Sequence, residues 1–166
     1  MNVTKDSLKD KYANLLLDIG LEVGARFIVY SDLLKDYIKE KDSSAHVVAS
    51  VIKPAIHFQG PTRLEEPTVE NETNYYNELL KEYDVVVVRP EYSRDVLSIH
   101  PEYIDDISRV EVLINQPCIN NCPRMPEHYR VIESLKVTES IEQKFKCIRR
   151  TLPGTLLFEN NVVHPR

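Results

Sequence analysis

The sequence predicts an α/β fold of parallel strand–helix repeats, a partial (half) TIM-like barrel with about four to five strands. Three observations carry this expectation. Short apolar runs rich in β-branched residues alternate with segments whose apolar positions recur at helical spacing. The runs are almost continuously apolar, as strands covered on both faces must be. Hydroxyl residues, Gly or Pro punctuate most of the junctions. Alternation of this kind specifies a parallel sheet joined by right-handed crossovers.

The first helix is expected over residues 5–19, where Leu8, Tyr12, Leu15, Leu16 and Ile19 share one face, with Thr4 as N-cap and Gly20 as stop. Gly24 then frees the chain to turn into the strand Phe27-Ile28-Val29-Tyr30. A second helix over 32–40 follows, and the Ser31 hydroxyl can accept from an orphan N–H of its first turn. The next strand is expected over 46–52. A long connection over 54–67 follows, turning at Gly60-Pro61, before a third helix over 70–82. Val85-Val86-Val87-Val88 is the clearest buried strand, ended at Arg89-Pro90 because proline removes a ladder donor. A helical region over 94–107 precedes the strand Val110-Glu111-Val112-Leu113-Ile114. Val86, Val88, Val112 and Ile114 are all expected to be almost fully buried. A last helix starts at Pro126, a favoured first-turn residue, and reaches about Leu135. The repeat domain thus spans 1–137, and a divergent tail of 138–166 adds at most a strand over 155–158.

Composition narrows the function classes. A chain of 166 residues, 42% hydrophobic and 28% charged, is one globular domain. A net charge of −5 argues against a broad nucleic-acid footprint, which needs clustered Lys and Arg. The basic stretch of Lys136, Lys144, Lys146, Arg149 and Arg150 is interleaved with Glu139 and Glu142 and reads as a solvated helix face. The N-terminus has no apolar signal core, and no apolar run approaches the roughly 20 residues of a membrane span. The expected setting is therefore cytoplasmic, with no membrane partner. Three cysteines then read as buried thiols, a metal site or a redox site rather than a disulfide framework.

In parallel sheets, ligand sites lie beyond the carboxyl ends of the strands. That rule selects Ser31 and Asp32, Lys53, Arg89 with Glu91 and Tyr92, and Asn115. Lys53, Arg89, Glu91 and Asn115 are candidate binders of an anionic substrate; the competing reading is ion pairs between neighbouring loops. No Gly-rich phosphate loop, G-x-S-x-G elbow or H-E-x-x-H helix is present, so no reaction follows from a motif.

The chemically richest segment is Asn115-Gln116-Pro117-Cys118-Ile119-Asn120-Asn121-Cys122-Pro123-Arg124-Met125-Pro126-Glu127-His128-Tyr129. Two cysteines sit in a proline-flanked loop between a strand and a helix start, whose backbone N–H groups favour thiolates. Cys118 and Cys122 are candidate metal ligands, with Cys147 and His128 as further donors. Burial as small hydrophobes is the alternative. The run from Val110 to Tyr129, and more loosely Tyr12 to Leu135, resembles the barrel superfamily of collagenase-like peptidases, which includes oxygen-independent tRNA and ubiquinone hydroxylases. The resemblance implies an iron–sulfur cluster held by cysteines such as Cys118 and Cys122, with Cys147 a third candidate; zinc is the other metal the thiols suit. That superfamily uses four cysteines and has further barrel strands. This chain has three cysteines and opens on a helix, which also fits a non-catalytic assembly module or one fragment of a split barrel enzyme. Four strands do not close a barrel, so the edges are expected to be covered by the N-terminal helix, by the tail, or by another chain, either a second copy in a homodimer or a missing barrel half.

Overall fold

A computed structural model describes residues 3–58, 63–89, 92, 97, 100–113, 124, 127, 128, 130 and 131. Among them, helix α1 (Lys11–Glu22) leads into strand β1 (Arg26–Val29), α2 (Asp32–Lys41), β2 (His46–Ala49), α3 (Ile52–Phe58), α4 (Val69–Glu82), β3 (Val85–Val88) and β4 (Val110–Val112). All neighbouring strands pair in parallel, in the order β1-β2-β3-β4. A sheet whose spatial order repeats the chain order is a partial βα fold of singly wound type, without the order reversal of doubly wound sheets. The expected α/β parallel class is what the chain adopts.

Local chemistry explains most boundaries. Ser31 and Thr68 cap α2 and α4, accepting from Leu34 N and Asn71 N. Asp10 caps α1 through Ala13 N at 2.7 Å, in place of the expected Thr4. Thr4 instead accepts from Ser7 N at the short 3-10 turn Ser7–Lys9. Gly20 does not stop α1, which continues to Glu22 and turns at Gly24 with φ of 66°. A Cβ built on Gly20 would lie 3.0 Å from two Phe27 ring carbons, so this glycine admits the ring rather than ending the helix. The expected strand over 46–52 is shorter, and α3 occupies part of the expected long connection. Pro54 sits in the first turn of α3, where its missing N–H costs nothing.

One face of the sheet packs against α1, α2 and α4. Val29, Val47, Ala49, Val86 and Val88 form a core with Ile38 of α2 and Tyr76, Leu79 and Leu80 of α4, and Leu17 and Leu21 of α1 pack against it. The alternate residues Arg26, Ile28, His46, Val48, Val87 and Glu111 face the other way. Val86 and Val88 are fully buried as expected, but Val112 is 36% exposed, because β4 borders the described sheet instead of lying within it. Ile114 and the expected strand over 155–158 lie outside the described residues. The 94–107 region contributes the 3-10 turns Pro101–Tyr103 and Ile107–Arg109. Glu127, His128, Arg130 and Val131 are helical, where the last helix is expected.

The sheet is strongly curled. Arg26 of β1 and Glu111 of β4 form an ion pair on the face opposite the core shared with α2 and α4, although β2 and β3 lie between them. Three strand spacings in a flat sheet would span about 14 Å. Carrying the registers across aligns Arg26 with Ile107, so Glu111 stands about 13 Å further along the strand direction. Side chains bridge that diagonal only if the strands tilt and close toward one another, as they do in a barrel wall.

Candidate functional site

The carboxyl ends of β1 and β2 bring together the residues of one polar cleft. Tyr30 and Ser31 leave β1, and Asp32 opens α2. Lys53 stands in α3 just after β2, with His57 one turn further on. Tyr75 of α4, Ile56 and Leu64 complete most of the lining of a cleft of about 290 Å³. That volume suits a small metabolite.

Lys53 is the central group. Its side chain is 9% exposed, and its Nζ donates to Asp32 Oδ1 at 2.9 Å. The ammonium also lies 5.9 Å from the Tyr30 ring centroid and 5.4 Å from that of Tyr83, within the range of cation–π attraction. Tyr83 donates its hydroxyl proton to the same Asp32 oxygen at 2.6 Å. Asp32 Oδ2 has no hydrogen-bond partner among the described residues, and this side chain is 60% exposed. Desolvation raises the Asp32 pKa, but hydrogen bonds from Lys53 and Tyr83, with the charges of Lys53 and Lys35, outweigh it and hold the carboxyl below its ordinary value. Burial, then the bond to Asp32, pushes the Tyr83 phenol up, so it remains a donor. Burial pushes the Tyr75 phenol up as well. The His57 ring stacks on Tyr75 with centroids 4.2 Å apart, and its Nε2 lies 3.1 Å from Glu65 Oε2. The cleft thus offers an ammonium donor beside a carboxylate acceptor, with flat aromatic faces on the same wall.

Arg89 does not join this cleft. It is 3% exposed and forms a buried ion pair with Glu72, while its backbone N–H donates to Tyr76 OH at 3.2 Å. Tyr92 packs on Tyr76 with ring centroids 4.6 Å apart and shares a hydrogen bond with Thr73. Lys53 and Arg89 therefore belong to two separate ion-paired clusters. Glu91, Asn115, Cys118, Cys122 and Cys147 lie outside the described residues. His128 is among them, and its N–H donates to Arg124 O at 2.9 Å. Burial pushes its imidazole below the ordinary value, toward the neutral form that ligates metals. Among the described residues no cluster of three or more His, Cys, Asp or Glu could hold a metal ion. Nor is any described helix long and apolar enough to cross a membrane.

Tyr30, His57, Tyr75 and Tyr83 are the polar and aromatic site residues the sequence did not reveal. With 54–67 read as a connection, His57 had no helix to share with Lys53. Once α3 is formed, the two stand four residues apart on neighbouring turns. Comparison with protein-family models, with curated proteins and with solved structures finds no match.

Proposed function

We propose that this chain binds a small, planar, uncharged molecule carrying an amide group at the carboxyl edge of β1 and β2. The observation that carries the reading is the buried Lys53 ammonium, held against Asp32 in the wall of a metabolite-sized cleft. The amide carbonyl accepts from Lys53, the amide N–H donates to Asp32 Oδ2, and the flat body lies against Tyr75 and His57. A charged carboxylate suits the site less, because it would stand beside Asp32.

Benzamide is the simplest probe. With 9 tyrosines and no tryptophan, the protein reports binding through tyrosine fluorescence as well as thermal shift. A ligand of this size is expected to bind with a Kd on the order of 1 mM. Benzamide should raise the melting temperature and change the fluorescence of the wild type, with benzoate weaker. Lys53→Met and Asp32→Asn should each remove the response. An equal response in Lys53→Met, or no response from the wild type, refutes the reading.

A second reading follows from β4. The chain leaves this strand at the same carboxyl edge through Leu113, directly before the segment that carries Cys118 and Cys122. We propose that these thiols, with Cys147 and His128, hold zinc or an iron–sulfur cluster, as the resemblance to the collagenase-like peptidase and hydroxylase superfamily implies. Anaerobic purification with iron, sulfide and zinc analysis tests it. Stoichiometric metal lost in Cys118→Ser and Cys122→Ser supports the site; substoichiometric metal with freely titrating thiols rejects it.

A further inference from the structure

We propose that two copies of this chain close one eight-stranded barrel, with β4 of each copy laid parallel along β1 of the other. The first observation is the β1 edge. Among the described residues β1 pairs only with β2, and its Ile28 is 66% exposed. An apolar groove of about 620 Å³ runs beside this strand between α1 and α2, lined by Leu8, Leu16, Leu17, Phe27, Ile28 and Leu34. α1 has no buried residue, and Tyr12 and Leu16 on it, with Val23 directly after it, are among the most exposed apolar side chains of the described residues. A helix packed this way covers the position beside β1 where a further strand belongs.

The second observation is the shape and charge of the complementary edge. β4 ends the described sheet with Val112 and Leu113 both more than a third exposed. Val112 is on the helix side, aligned with Val88, and is placed to enter the partner's groove under α1. β1 carries Arg26 and β4 carries Glu111, opposite charges on the two edges to be joined. The third observation is the curl. Among the described residues, four parallel strands in chain order, bent until β1 and β4 side chains touch, make half the eight strands at which such a wall closes. A two-fold axis along the barrel axis brings β4 beside the partner's β1 twice, keeps the described strands parallel and leaves neither described edge open.

The charge pair gives a test that separates joining between copies from pairing within one. Light scattering of the full chain at micromolar concentration should give twice the 19.2 kDa chain mass. Arg26→Glu and Glu111→Arg should each shift the dimer toward monomer by at least about tenfold in Kd, a difference of about 1.4 kcal/mol. Mixing the two variants should restore dimers that native mass spectrometry identifies as mixed pairs, because both seams then join Glu to Arg. Within each copy the residues remain like-charged, so an intramolecular role predicts no such rescue. Circular dichroism checks that both variants fold; where one does not, Ile28→Lys, at the same edge, tests dissociation alone and should also give monomer. A monomeric wild type overturns the proposal. So does a dimer indifferent to these substitutions, or a mixture no more associated than its components.

Discussion

Lys53, Asp32 and Tyr83 show how one buried cation is made tolerable. An ammonium removed from water needs a partner and further polar contacts. Here a carboxylate supplies the charge and two tyrosine rings supply their negative faces. The arrangement has a pH signature. Because the Asp32 pKa is lowered on folding, its contribution to stability is complete above the unfolded value near 3.8 and is lost as pH falls through the folded one. The gap in urea midpoint between wild type and Asp32→Asn should therefore be full at pH 7 and shrink progressively below pH 4. A gap that stays constant down to pH 2 would show that the carboxylate is not held in this way. At Gly24, φ of 66° requires a residue without Cβ strain, and nothing crowds the position. Gly24→Ala should cost about 1 kcal/mol in chemical denaturation, with Gly24→Asn milder.

Individual elements depend on a few long-range contacts that no local pattern announces. Arg109 donates to the backbone carbonyls of Leu80 at 2.6 Å, Asp84 at 2.9 Å and Tyr83, closing the C-terminal end of α4 from the turn before β4. Removing a charged donor to three carbonyls should cost about 2 kcal/mol, so Arg109→Met is expected to lower the urea midpoint clearly, with Arg109→Lys between the two. Asp84 has a parallel role at the amino edge, accepting from Val47 N at 2.8 Å and from Lys39 at 3.1 Å. Elements with local signals were legible in the sequence: the valine run of β3, the cap at Ser31, the apolar face of α4. The α3 helix was not, because a seven-residue helix with a proline in it is too short to show a period. The candidate site was half legible for the same reason. The rule about carboxyl ends found Asp32 and Lys53 from strand positions alone, whereas Tyr75 and His57 meet only through the fold. Arg89 stood at a comparable strand end, yet Glu72, 17 residues earlier on α4, takes its charge inside the protein.

At the scale of the whole molecule, β2 and β3 form the rigid centre. Val47, Val48, Val86 and Val88 are fully buried, and the flanking strands are progressively more open. Amide hydrogen exchange should be slowest at these four valines and faster at Ile28. Val86→Ala should cost about 1–3 kcal/mol through lost burial and the cavity left behind. Protection concentrated in α1 instead would contradict this picture, since no residue of α1 is buried.

The order of the strands has a consequence for how the chain is made. Each strand pairs with its immediate predecessor, across separations of 20, 37 and 24 residues. No strand among the described residues has to wait for one synthesised much later before it can dock. As the chain emerges from the ribosome, β2 can settle on β1, then β3 on β2, then β4 on β3, each step closing a loop of modest length. Growth of this kind leaves the β1 edge where it started and moves the other free edge always to the newest strand. The same sheet is therefore open at its leading edge throughout synthesis, and it is that late-made edge which a chaperone would have most reason to hold.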